Sequence, residues 1–169
     1  MILLVDAFNL IYKFPELEED MARGELEQAM RGLLARLAEF RKAYTAHKSR
    51  QLVVHVFFDG KRKRGDETRR LKQDGLDLYF SHDLSADHLI MEFIGRHATP
   101  GDLTIVSTDK KIREFARKHR CQRRTSEEFA EWLLETIQPA PEDDDDGSAK
   151  PESVSEDEIA YWQDMFRKQ

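Results

Sequence analysis

Three short apolar runs, each closing on or near a carboxylate, constrain this chain more than any other feature. Ile2–Val5 ends at Asp6, Val53–Phe58 ends at Asp59, and Leu103–Val106 is followed three residues later by Asp109. Apolar runs of this length, rich in β-branched and aromatic residues, read as buried strands. Asp59-Gly60 is also a turn signal. Helical spacing fills the intervals. Leu26, Met30, Leu33, Leu34, Leu37 and Phe40 recur at steps of three and four within residues 25–45. Ser85 reads as the N-cap of a helix carrying Leu89, Ile90, Phe93 and Ile94, which Thr99-Pro100-Gly101 ends. Lys110–Lys118 places Ile112, Phe115 and Ala116 inward, and Ser126 reads as the cap of a helix with Phe129, Trp132, Leu133 and Ile137. Leu76–Phe80 reads as a short strand, Arg120–Arg123 as a short connecting segment, and polar, basic residues 61–75 as a loop or exposed helix start. Strands alternating with helices predict right-handed βαβ units, a parallel sheet and an α/β fold.

Composition narrows the class. A chain of 169 residues with 40% apolar residues fits one domain with a real core. The single cysteine, Cys121, excludes an intrachain disulfide and a multi-cysteine zinc site. No run approaches the roughly 18 apolar residues of a membrane span, and the first residues lack a signal-peptide pattern. The expectation is a cytoplasmic protein with no membrane partner. The net charge of −6 is unevenly spread: residues 139–169 hold ten acids and three bases, leaving 24 bases against 23 acids in residues 1–138. The acidic, proline-containing stretch 139–154 is expected to be a disordered linker. Ile159, Trp162 and Phe166 at spacings of three and four predict a short C-terminal helix over 155–169.

In open parallel sheets, ligands bind beyond the carboxyl ends of the strands. Asp6, Asp59 and Asp109 therefore fall on one predicted rim, and Asp87 joins them from the first turn of the Ser85-capped helix. Each aspartate alone is an ordinary turn or cap residue. Four at corresponding ends form an acidic cleft whose mutual repulsion a hard divalent cation such as Mg²⁺ would relieve. Such ions activate water and stabilise leaving oxygens in phosphodiester cleavage.

Two basic clusters follow the same rim. Lys61, Arg62, Lys63 and Arg64, with Arg69, Arg70 and Lys72, come after Asp59; Lys110, Lys111, Arg113, Arg117, Lys118, Arg120, Arg123 and Arg124 come after Asp109. Phosphate contacts from such residues give affinity without sequence choice. A solvated helix face is the plainer account of Arg113, Arg117 and Lys118. Phe8, Tyr79 and Phe80 fit a core better than a base-stacking platform. The six histidines show no metal-ligand spacing, and Cys121 has no catalytic partner.

Taken in order, these motifs resemble the NYN domains, which are PIN-like nucleases, and especially their YacP-like branch. Residues 2–11 (ILLVDAFNLI) are similar to that branch's opening strand, Phe57-Phe58-Asp59-Gly60 to its F-D-G turn, Ser85-Ala86-Asp87 to its helix start, and Val106-Ser107-Thr108-Asp109-Lys110 to its V-x-S/T-S/T-D segment. The resemblance covers residues 1–138 and leaves the acidic tail outside. It implies a PIN-like three-layer α/β/α fold and a Mg²⁺- or Mn²⁺-dependent endoribonuclease. It implies that Asp6, Asp59, Asp87 and Asp109 are catalytic and hold the metal, and that Asn9 and Ser107 or Thr108 hold the attacking water or a phosphate. With the basic positions Lys61–Arg64 and Lys110 it implies an RNA substrate, in a ribosome or translation context. One departure stands out: the acid the family places four residues after its A-D is Met91 here, with Glu92 next. One residue is about 100° of helix rotation, so Glu92 points off the Asp87 face.

Three readings follow. The first is the metal-dependent endoribonuclease, leaving a 5′-phosphate and a 3′-hydroxyl. The second is a non-catalytic RNA- or ribosome-binding module on the same fold, motivated by Met91. The third, a phosphate-transfer protein of another α/β class, ranks last. Phe8 stands where a dehalogenase-like phosphatase needs a second aspartate, Val5 where a receiver domain needs an acid, and no P-loop is present.

Overall fold

A computed structural model describes residues 1–48, 50–60, 69–81 and 84–138. Six strands form one sheet: β1 (Ile2–Asp6), β2 (Val53–Asp59), β3 (Arg69–Gln73), β4 (Leu76–Ser81), β5 (Leu103–Val106) and β6 (Gln122–Arg124). The strand order is β3-β4-β2-β1-β5-β6. Every neighbouring pair is parallel except β3 with β4, which are antiparallel. Six helices flank it: α1 (Ala7–Ile11), α2 (Pro15–Ala22), α3 (Leu26–Lys48), α4 (Ala86–Arg96), α5 (Lys110–Lys118) and α6 (Ser126–Ile137). The result is the three-layer α/β/α arrangement that the alternating pattern predicts.

Strand parity divides the apolar residues between two cores. Leu3, Val5, Val54, Val56 and Phe58 face α1, α2, α3 and α6, where Leu10, Leu17, Leu33, Leu37, Phe40 and Phe129 complete the larger core. Phe40 is its hub, with the rings of Trp132 at 4.8 Å and Phe129 at 5.2 Å. Leu4, Phe57, Leu103 and Ile105 face the opposite way, against Ile90 and Ile94 of α4 and Ile112 and Ala116 of α5. Each fully buried Leu, Ile or Phe contributes about 1.5–3 kcal/mol.

Helix starts are fixed by side-chain caps. Ser85 Oγ accepts the His88 amide at 3.3 Å, and Asp109 Oδ1 accepts the amides of Lys111 and Ile112 at 2.7 and 3.1 Å. Helix α6 is capped by Thr125 rather than by Ser126. Thr125 Oγ1 accepts the Glu128 amide while the Glu128 carboxylate accepts the Thr125 amide, a reciprocal box that Ser126 cannot make because it already lies within the helix.

Three further segments differ from the sequence reading or go beyond it. Residues 69–73 are the edge strand β3, not loop or helix. All five are exposed, so they carry no apolar alternation to betray a strand. Asp74 and Gly75, both with positive φ (51° and 76°), make the tight hairpin turn into β4. The connecting segment read at 120–123 overlaps β6, whose three residues are exposed at the other edge. Helices α1 and α2 fill the stretch after Asp6; α1 is barely one turn, and α2 starts on Pro15, which suits a first helical position. The expected acidic linker (139–154) and C-terminal helix (155–169) lie outside the described residues. No described helix is long and apolar enough to cross a membrane.

Candidate active site

The chain reverses its direction across the sheet between β1 and β5. From β1 it runs through α1–α3 on one face to β2 and β4, then returns through α4 on the other face to β5. Such a switch point opens a crevice at the carboxyl ends of the two strands. Asp6 closes β1 there and Ser107 follows β5. Ser107 Oγ donates to Asp6 Oδ2 at 2.8 Å across 101 residues of sequence. The same Oγ accepts the Asp109 amide at 3.0 Å, so one buried hydroxyl ties the ends of both strands to the start of α5. Asn9 Nδ2 also donates to Asp6 Oδ2.

Parity aims the acids the same way. Asp6 follows Leu4 by two residues and Asp59 follows Phe57 by two, so both lean toward the face covered by α4 and α5. Asp59 is exposed at the rim; its Oδ1 accepts from Ser81 Oγ at 3.1 Å, at the register-paired end of β4. Asp87 enters from the first turn of α4 and Asp109 from the cap of α5. Burial is the main cause that pushes the Asp6 carboxyl above its ordinary value. The bonds from Asn9 and Ser107 oppose it, and the charge of Asp87 adds to it. Asp87 is likewise raised, first by desolvation and then by the charges of Asp109 and Asp59, while Lys111 lowers it. The four aspartates thus form one electrostatic group drawn from four separate segments. Glu92 is paired with Arg96 at 2.7 Å and lines the groove beside α4 with Phe57 and Tyr79.

Beside the rim, Lys110, Lys111, Arg113 and Arg123 line a pocket of about 560 Å³ with Glu114. Glu114 is engaged by Arg117, through bonds of 3.0 and 2.7 Å. Among the described residues, none of the four lining cations forms an ion pair, so their charge is left for an anion.

A family model of the YacP-like NYN domain matches residues 3–167. The chain belongs to the YacP-like NYN family. The match runs through the acidic segment to residue 167, so the family likeness extends beyond the 1–138 span on which the motifs resemble it. Two solved structures, both crystal structures of Rae1 (YacP) from Bacillus subtilis, have the same fold at a TM-score of 0.60. One is a tryptophan-to-leucine mutant of that protein, 20% identical, with 80% of this chain and 76% of that one covered. The other is 21% identical, with 80% and 75% covered. No curated protein matches this chain.

The donor set suits a hard cation in its composition: carboxylates and hydroxyls, all oxygen. No three His, Cys, Asp or Glu side chains among the described residues are gathered tightly enough to chelate one ion directly.

Of the other residues singled out in the sequence, Thr108 faces away from the acids. Its Oγ1 donates to Glu127 at 3.2 Å and accepts the Ser126 amide at 3.3 Å. Lys13, at 2.6 Å, is the main cause holding the Glu127 carboxyl at about 2. Lys110 is exposed at the mouth of the basic pocket. Lys61, Arg62, Lys63 and Arg64 lie outside the described residues. Sequence reasoning missed Ser81, the partner of Asp59. Its signal was present: like Ser107, it is a serine directly after an apolar strand.

Proposed function

We propose that this YacP-like NYN protein is a divalent-cation-dependent endoribonuclease with Asp6, Asp59, Asp87 and Asp109 as its acidic centre. The observation that carries this reading is the buried Asp6–Ser107 bond at the sheet's switch point, with three further aspartates converging on the same rim. A carboxylate buried at 5% exposure with a raised pKa is costly to keep ionised, and a cation offsets that cost. Asp6, Asp59, Asp87 and Asp109 would hold Mg²⁺ or Mn²⁺. A bound ion of this kind supplies Lewis-acid activation of water and stabilises the leaving oxygen. Asn9 and Ser107 fix the Asp6 carboxylate in place. Lys110, Lys111, Arg113 and Arg123 bind the phosphates that flank the cleaved bond, and the basic run Lys61–Arg64 extends that grip. RNA presented on the ribosome is one context in which such a site would act, and the cytoplasm is the matching compartment.

The test is cleavage of end-labelled single-stranded RNA by the full chain with Mn²⁺ or Mg²⁺. The expected result is cleavage that EDTA stops, that leaves 5′-phosphate ends, and that Asp6→Asn removes. Absence of cleavage on free RNA and on ribosome-bound mRNA would overturn it. A second reading, a non-catalytic RNA- or ribosome-binding module, draws on one observation: Glu92 is paired with Arg96. Unchanged RNA affinity in Asp6→Asn, with no cleavage under any cation, would favour that module.

A further inference from the structure

Ser81 lies outside every motif that carries the family resemblance, yet among the described residues it makes the one side-chain bond to Asp59. It ends β4 as Asp59 ends β2, and the two are register partners. The stacked rings of Phe58 and Phe80, 5.2 Å apart and 8° from parallel, fix both strand ends one residue earlier. Ser81 is fully buried. Its Oγ accepts the Gly60 amide at 3.3 Å, and the same amide bonds the Ser81 carbonyl oxygen at 3.0 Å. The single hydroxyl hydrogen is left for two acceptors, the Phe58 carbonyl oxygen at 3.2 Å and Asp59 Oδ1 at 3.1 Å. A hydrogen bond to a carboxylate is the stronger kind, so an ionised Asp59 takes the hydrogen.

The same arrangement holds Asp6. Ser107, equally buried, accepts the Asp109 amide and donates to Asp6 Oδ2. In both places a buried serine at the end of a neighbouring strand accepts an amide of the rim and donates to one carboxylate oxygen. The two acids differ in what else restrains them. Asp6 is itself buried, and Asn9 is a second donor to its Oδ2. Asp59 is exposed, and among the described residues its Oδ2 has neither a hydrogen bond nor an ion pair. The orientation of Asp59 therefore depends on Ser81 far more than that of Asp6 depends on Ser107. An exposed carboxylate without a partner turns among several staggered rotamers. A cation that recruits it must then order it at an entropic cost, which a side chain already held in place avoids.

We propose that Ser81 is a positioning residue of the acidic centre: by holding Oδ1 it sets the Asp59 side chain in one rotamer and leaves Oδ2 to the divalent cation. Ser81 touches neither cation nor RNA and acts through Asp59. The proposal rests on the reading of the acidic rim as a cation-dependent cleavage centre.

The test reads orientation and cation affinity rather than cleavage. The first measurement uses the full chain without cation or RNA and follows the Asp59 Hα–Hβ couplings by NMR. The wild type should show one rotamer. Averaged couplings are expected in Ser81→Ala, and in Ser81→Cys, which keeps a side chain in place but offers only a weak donor. The second measurement is Mn²⁺ affinity, from the electron paramagnetic resonance signal of the free ion. Ser81→Ala should weaken it about tenfold, and Asp59→Ala at least as much. In the Asp59→Ala background, Ser81→Ala should add less than about a twofold loss, because a residue acting through Asp59 then has nothing to act on. Unchanged couplings in both Ser81 variants, or equal losses of affinity in the two backgrounds, would each overturn the proposal. Absence of Mn²⁺ binding by the wild type, with the coupling response intact, would overturn the cation-dependent reading alone.

Discussion

The two faces of the sheet are built from the same strands and do opposite work. On the α1–α2–α3–α6 face, the buried side chains are almost all apolar and the aromatic rings of Phe40, Phe129, Trp132 and Tyr44 pack edge to face. On the α4–α5 face, the apolar cluster is smaller, and buried polar groups sit at its margins: Asp6, His55, Asp77 and Ser107. One face excludes water and supplies stability. The other leaves a rim of mutually repelling carboxylates, an arrangement that costs stability and is kept where a ligand can relieve it.

Substitutions should separate these roles, the largest effect coming from the acidic face. Asp6→Asn should lower cation-dependent RNA cleavage about a thousandfold, as loss of a central electrostatic group does. Its circular dichroism spectrum should stay native. A variant that still cleaves would move the centre away from the switch point. On the opposite face, Phe40→Ala should cost about 3–5 kcal/mol and lower Tm by roughly 10 °C. The residual folded protein should cleave RNA at the wild-type rate under cooler conditions. A selective loss of cleavage would show that the two faces are coupled. Thr125→Ala removes the α6 cap and should cost about 1 kcal/mol by denaturant melts, again without touching the acids.

The smallest effect sharpens the comparison most. The carboxyls of Asp6 and Asp87 are raised in the fold, so the native state holds protons that the unfolded chain has released. Without divalent cation, their contribution to stability is therefore complete below the ordinary carboxylate range and declines as pH rises through it to the raised values. Asp87→Asn should remove part of that decline. Because Asp87 is half-buried and screened, the gain in Tm for the cation-free protein at neutral pH should be only about 1–2 °C. Mn²⁺ should raise the Tm of the wild type more than that of the variant. Equal shifts would take Asp87 out of the cation site.

Much of this was legible in the residues. Each parallel strand but β6 announced itself as an apolar run, and Asp6, Asp59 and Asp109 stood out because each lies at or shortly after a predicted strand end. Edge strands were not legible. Arg69–Gln73 and Gln122–Arg124 pair through backbone alone and expose every side chain, so no hydrophobic period marks them. Thr125 and Ser126 are equally good caps by composition, and only the reciprocal bond with Glu128 decides between them. Thr108 and Ser107 are neighbours of the same chemistry just past β5, yet one bonds Glu127 and the other Asp6.

The sequence by itself determined the α/β alternation, the family motifs and which residue types could gather at a rim, because periodicity and strand ends are local properties. Tertiary structure decided which side of the sheet each acid faces, that Ser107 and Ser81 serve Asp6 and Asp59, and that Glu92 turns to Arg96. It also decided that, among the described residues, four cations beside Asp109 stay unpaired while Arg70 and Arg117 do not. Those outcomes depend on register, crossover direction and the reach of side chains distant in sequence, which spacing along one chain does not encode.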